Sequence, residues 1–337
     1  MESHAQSVED YLIDGLSFKL APGASYVNSR RSVSFFPTGG NSYSPGGVKV
    51  IKVMLNGDGW LDPSTFRFSY SLQNLFSDTT SVTDKNLRTL GGPWSFFRRM
   101  RITVGGQVCE DIDMYNRTHE MLHNLVSSER QVDDLVQGFG VEADNLRNMG
   151  THPEGKRAYA GKTVALGQLA GATPPQPYLS CIEYLGIDEG DSKTVFFKPL
   201  AGLFNQHKYI PLKYCPIQIE FEVVNNYNDA IIYPAATTSI DPTAFLQSQC
   251  SNQWLISNVQ CKCDLVTLDS GLENEYAAQL LSGKSLPISY DTYITQYQTV
   301  AGSDYAVNIA RAFTRLKSVF VSFYGLAPGV NANTDQK

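Results

Sequence analysis

Ile217-Gln218-Ile219-Glu220-Phe221-Glu222-Val223 alternates apolar and polar side chains without a break, the cleanest such run in the chain. Successive side chains of an extended strand point to opposite faces, so one face here is wholly apolar and the other polar. A helix would scatter both sets around its axis. The segment reads as a strand lying half-buried on a sheet. The same period recurs upstream, where Phe66, Phe68, Tyr70 and Leu72 alternate with Arg67, Ser69 and Ser71.

Working outward, residues 48–55 form an apolar run ended by Asn56-Gly57-Asp58-Gly59, a turn whose glycines tolerate positive φ. Residues 94–104 read as a strand, Gly105-Gly106 as a tight hairpin turn, and residues 107–111 as the returning strand. Further strands are predicted over 193–199, 254–268, 288–299 and 305–324. Helical spacing appears twice. Met114, Met121, Leu122, Leu125 and Val126 follow Asp113, a candidate N-cap, and Ser270-Gly271-Leu272-Glu273 forms a capping box opening a helix through Leu281. Residues 1–45 suit an extended arm and loop. Residues 138–178, rich in Gly, Ala, Asn and Pro, look like a long excursion of the kind that usually carries function.

Nothing in this order resembles the β-α-β alternation of a parallel sheet. The expected fold is all-β: two antiparallel sandwiches in series, jelly rolls being the leading candidate, with short helices in loops. The expected boundaries are an arm over 1–45, a first jelly roll over 46–235, a linker over 236–253, and a partial second jelly roll over 254–337.

Composition agrees. The 35 Tyr and Phe (18 and 17), with 27 Gly and 16 Pro, favour many short strands broken by turns. Charged residues make up 18% of the chain, below the roughly 25% usual for soluble domains, which points to surface covered by partners. A net charge of −6, with no long basic run, argues against direct coating of nucleic acid. The polar start, with Glu9 and Asp10, lacks the basic and then apolar pattern of a signal peptide, so the chain is expected to be made inside a cell. Of the six cysteines only Cys261 and Cys263 lie close, and no C-x-x-C pair occurs, so free structural thiols are expected.

Four motifs bear on chemistry. His119-Glu120-Met121-Leu122-His123 matches H-E-x-x-H, which puts two imidazoles one helical turn apart for zinc and a carboxylate beside them to activate water. The extended form of that motif would want Gly and His where Val126 and Glu129 stand; Glu129 or Glu142 would have to serve as third ligand. The alternative is a helix packing Met121, Leu122 and Leu125 on a sheet. Residues 150–156 mimic P-loop spacing, but Arg157 replaces the required Ser or Thr. Asn116-Arg117-Thr118 matches a glycosylation sequon within a predicted helix. Arg98-Arg99-Met100-Arg101 follows Phe96-Phe97; strand alternation would put Phe97 and Arg99 on one face and Arg98 and Met100 on the other, at a partner-facing edge.

Several segments, in order, resemble the double jelly-roll major capsid proteins of double-stranded DNA viruses, especially the polinton-like and adintovirus-like branch. They are Gly57-Asp58-Gly59-Trp60-Leu61-Asp62-Pro63 with Thr65-Phe66-Arg67-Phe68; Pro93-Trp94-Ser95-Phe96-Phe97 through Ile102-Thr103-Val104-Gly105-Gly106; and the helix near Met114-Tyr115. Pro199-Leu200-Ala201-Gly202-Leu203-Phe204, Tyr209-Ile210-Pro211-Leu212 and Ile217 to Val223 look like the closing strands of a first jelly roll; Ala310-Arg311-Ala312-Phe313 to Phe323 looks like an inner strand pair of the second. The resemblance implies a homotrimer forming pseudo-hexagonal capsomers that tile an icosahedral shell, contacts with minor capsid or penton proteins, and a location in the virion after synthesis in the infected cell. It carries over no catalytic, cofactor-binding or metal-binding residue and implies no cofactor. A jelly roll needs about eight strands and residues 254–337 supply four or five, so the second is expected to be completed by further chain or by another molecule. Two competing readings are a zinc-dependent hydrolase using His119, Glu120 and His123, and a β-sandwich module binding carbohydrate or a cell surface.

Overall fold

A computed structural model describes residues 27–77, 85, 87, 89–126, 187–231, 233, 250–299, 306, 307, 309 and 315–322. Its strands are β1 (Val27–Phe35), β2 (Ser42–Tyr43), β3 (Val50–Leu55), β4 (Trp60–Asn74), β5 (Phe97–Val104), β6 (Gln107–Ile112), β7 (Ser192–Phe197), β8 (Ile210–Pro211), β9 (Ile217–Val223) and β10 (Trp254–Leu268). The α-helices are α1 (Tyr115–His123) and α2 (Ser270–Leu281). One sheet runs β1-β10-β4-β7, with the two-residue strands β2 beside β10 and β8 beside β4; the other runs β3-β9-β5-β6.

Leaving out β2 and β8, the first strand pairs with the last (β1 with β10), the second with the second-last (β3 with β9), the third with the third-last (β4 with β7), and the middle two with each other (β5 with β6), all antiparallel. A long hairpin rolled over on itself gives this order, which is that of a jelly roll. At the hairpin's tip Gly105 and Gly106 take φ of +55° and +85°, conformations that a two-residue turn of the favoured hand requires.

The core fills the space between the sheets. On β9 the alternation works as written: Ile217, Ile219, Phe221 and Val223 are buried and the residues between them are half-exposed. On β4 the buried set includes Phe66, Phe68, Tyr70 and Leu72. Phe68 sits at the centre, with the rings of Phe221, Phe97 and Phe197 at 4.5, 5.4 and 5.8 Å. Such pairs add roughly 0.5–1.5 kcal/mol each beyond their burial.

The domain boundaries read from the sequence need correcting. Residues 27–35 are not part of an arm: they form β1, paired with β10 from Val27↔Leu268 to Phe35↔Cys261. Nor does 254–268 open a second sandwich, since β10 lies between β1 and β4 and closes the first. The sandwich thus spans 27–268 rather than 46–235. Among the described residues beyond α2 there is no strand, so 288–299, predicted as one, runs without a ladder partner. Smaller differences concern helix starts. α1 is preceded by Met114 in the left-handed region (φ 48°), with Asp113 turned instead toward Arg98 at 3.6 Å. The N-cap of α2 is Asp269, whose carboxylate accepts from the Gly271 amide at 3.0 Å. Residues 94–96 belong to a 3-10 turn, Pro93–Phe96, rather than to the strand that follows.

Candidate functional site

The H-E-x-x-H residues lie on α1, and the structure puts Trp94 among them. Trp94 comes from the Pro93–Phe96 turn and is fully buried. Its ring stacks on His119 at 3.9 Å and 16°, and His123 tilts against it at 4.7 Å. The Trp94 indole Nε1 donates to Glu120 Oε2 at 2.8 Å. Gly91 makes room for that carboxylate, because a Cβ there would lie 2.5 Å from the same oxygen. His119 contacts the Lys198 carbonyl through Nε2 at 3.4 Å, and its Nδ1 is buried with no hydrogen-bond partner. Burial in this aromatic setting drives the imidazole pKa down to about 3, so the ring is neutral at ordinary pH. The three residues of the motif therefore wedge α1 against the sandwich, and the carboxylate that a hydrolase would use on water is engaged by an indole. Glu129, Glu142 and the P-loop-like segment 150–156 lie outside the described residues. No group of three or more potential metal ligands occurs among those described.

The sequon residue is also engaged. Asn116 is buried on α1, with its amide 3.4 Å from the Ser95 carbonyl and its Oδ1 accepting from the Arg117 amide at 2.9 Å.

The arginine run lies on β5, an interior strand between β9 and β6 and not an edge. A register shift between Phe97 and Arg99 lets Phe97 and Met100 both face the core, whereas strict alternation would have separated Phe97 from Met100. Arg99 and Arg101 then lie on the outer face in a cross-strand row of alternating charge. Lys52 on β3 meets Glu220 on β9 at 3.0 Å; Glu220 meets Arg101 at 3.8 Å; Arg101 meets Asp111 on β6 at 3.5 Å. Arg99 grips Asp111 with two bonds of 2.7 and 2.6 Å and holds its carboxyl below the ordinary range. The cations are answered within the sheet. Cys261 and Cys263 take alternate inward positions on β10 as buried free thiols, with Cys263 pushed up to about 12 by burial.

Glu110 on β6, which sequence reading did not single out, is the most deeply engaged acid. It is 2% exposed and accepts the amides of Gly202 at 2.9 Å and Leu203 at 2.6 Å. Burial pushes its carboxyl up, against the opposing pull of those two donors. The 199–204 segment it holds is fixed further by the Leu200 amide donating to the Tyr115 hydroxyl at 2.8 Å and by Phe204 stacked on Phe66 at 4.1 Å. No pattern in the sequence marks a lone glutamate in a hairpin as the anchor of a loop some ninety residues on, since its partners are backbone amides.

A different surface lies past α2. Leu316, Val319, Phe320 and Val321 are 59, 58, 50 and 69% exposed within residues 315–322. Contiguous apolar surface left in solvent marks a site of contact with a protein, a membrane or a ligand.

No family model and no curated protein matches the chain. Among solved structures it is similar to the PBCV-1 virus capsid, at 13% identity and a TM-score of 0.37, covering 77% of this chain and 48% of that one. It is similar also to the structure of the Sputnik virophage (8% identity, TM-score 0.41, 75% and 51% covered) and to the mavirus major capsid protein (12%, 0.34, 82% and 52%). The chain spans about half the length of these solved chains.

Proposed function

We propose that this chain is a structural subunit of a viral capsid, which trimerises into pseudo-hexagonal capsomers that tile an icosahedral shell. One observation carries the reading: a jelly roll hands its chain on to a segment whose large apolar side chains stand in solvent. A rigid sandwich with such an extension is suited to building by contact, because apolar surface left in water is driven to cover. The residues that the sequence offered for hydrolysis serve packing around Trp94 instead, which supports a role without catalysis or cofactor. In this reading the partners are first other copies of the chain, then minor capsid or penton proteins, and the branch is the polinton-like and adintovirus-like one. The protein is made in the infected cell and ends in the virion. Residues 138–178, outside the described residues, would form a tower or clamp loop on the outer side of the capsomer.

Sedimentation velocity on the purified protein tests the trimer. A species of three chains that persists on dilution is expected. Monomer alone across a wide concentration range would overturn the reading.

A further inference from the structure

Between α2 and the exposed apolar segment, residues 287–297 lie against the jelly roll as a strap without regular secondary structure. Ile288, Tyr290 and Tyr293 are half-buried against the main core. The Lys208 ammonium donates to the Pro287 carbonyl at 2.8 Å, the Thr292 hydroxyl lies 3.4 Å from Glu110 Oε2, and the hydroxyls of Thr295 and Thr118 are 3.1 Å apart. The strap thus rests on the 199–208 loop, β6 and α1 through side chains, without a strand ladder.

At Gly202 its backbone comes closest. A Cβ on Gly202 would overlap the Asp291 carbonyl oxygen, and the next atoms it would meet are the Asp291 carbonyl carbon at 2.7 Å and Tyr290 Cδ2 at 2.9 Å. All three belong to the strap. Gly202 is not among the glycines of positive φ, so its own backbone does not require glycine. The atoms nearest to a side chain placed there are those of the strap. On the far side of the strap, Lys317 pairs with Asp291 at 2.6 Å, which ties the exposed 315–322 segment to the residue seated over Gly202.

We infer that residues 287–297 form a separable strap, latched over Gly202 and Glu110, which docks and releases as a unit while the sandwich stays folded, and whose docking sets where the apolar 315–322 segment leaves the molecule. Segments held by side-chain contacts on a closed scaffold open locally, ahead of the sheets beneath them. The inference stands whether or not the protein builds capsids, since it concerns contacts within one chain.

Limited proteolysis by chymotrypsin on the full chain, with hydrogen exchange read by mass spectrometry to follow the sheets, tests it, comparing the wild type with Gly202→Ala and Tyr290→Ala. The first change puts a methyl group under the strap, and the second removes a ring from the strap itself while leaving Tyr293 and Tyr297 as cleavage sites. Both variants should speed cleavage within 288–297 by about tenfold or more, while exchange protection in β9 and β10 stays within about twofold of wild type, as expected for a local opening. Unchanged cleavage of the strap in both variants would overturn the inference. So would loss of protection in β9 and β10 in Tyr290→Ala.

Discussion

At the scale of single residues, the H-E-x-x-H segment shows how a chemical motif can be spent on packing. Two histidines and a glutamate at this spacing were legible in the sequence. The tryptophan that occupies all three lies 26 residues before Glu120, at a separation no spacing rule reaches. The arrangement has a consequence for pH. An unfolded chain protonates His119 near about pH 6.5, whereas in the folded chain the pKa is lowered to about 3. Between those values the unfolded state binds the extra proton. The stability that depends on neutral His119 is therefore fully present above about pH 6.5 and is lost as pH falls toward about 3, at roughly 1.4 kcal/mol for each unit of pH. His119→Phe keeps a flat ring on Trp94 and removes the titration, so the urea midpoint of this variant should fall less between pH 7 and pH 4 than that of the wild type. Identical falls would show that His119 is not a buried neutral group. A second expectation concerns Glu120. Glu120→Ala strips the acceptor from a buried indole N–H and should cost about 1–3 kcal/mol, while Glu120→Gln, which keeps an acceptor, should cost less. Equal losses in chemical denaturation would mean that the 2.8 Å bond contributes nothing.

At the scale of elements, strands with one buried face announced themselves and the mostly exposed β1 did not. β9 and β10 appear with the bounds expected of them, because burial of one face imposes the two-residue period on the sequence. β1 carries Val-Asn-Ser-Arg-Arg-Ser-Val-Ser-Phe, mostly exposed, and is held by its ladder to β10 and by Arg30, which reaches Asp62 at 2.6 Å and Asp264 at 2.7 Å. Backbone pairing leaves no mark on composition, so β1 read as an arm. With β1 reading as an arm, β10 has no visible partner in the first sandwich and reads as the opening of a second. The difference is open to experiment. A fragment of residues 27–299 retains all ten described strands and should unfold in one cooperative transition with native-like near-UV dichroism. A fragment of 46–235 lacks β1 and β10, uncovers the backbone edge of β4 and its apolar face, and should fail to give that transition. A cooperative 46–235 fragment would restore the shorter domain.

At the scale of the whole molecule, the jelly roll is closed by its own first and last strands, and the strap and the apolar 315–322 segment lie beyond it. The class of fold could be read from strand periods and turn residues. The pairing of first strand with last could not, because it joins residues some 240 positions apart chiefly through backbone groups. In the proposed shell 138–178 serves contacts between capsomers, so removing it should leave the thermal transition of the sandwich within a few degrees yet impair assembly. Loss of the transition would put the segment in the core. The central claim, that this chain builds shells by contact with copies of itself, is tested most directly by electron microscopy of the purified full-length protein under assembly conditions. Three-fold capsomers arranged in curved, pseudo-hexagonal arrays are the result the account predicts. Isolated single chains, with no lattice at any protein concentration or salt, would contradict it.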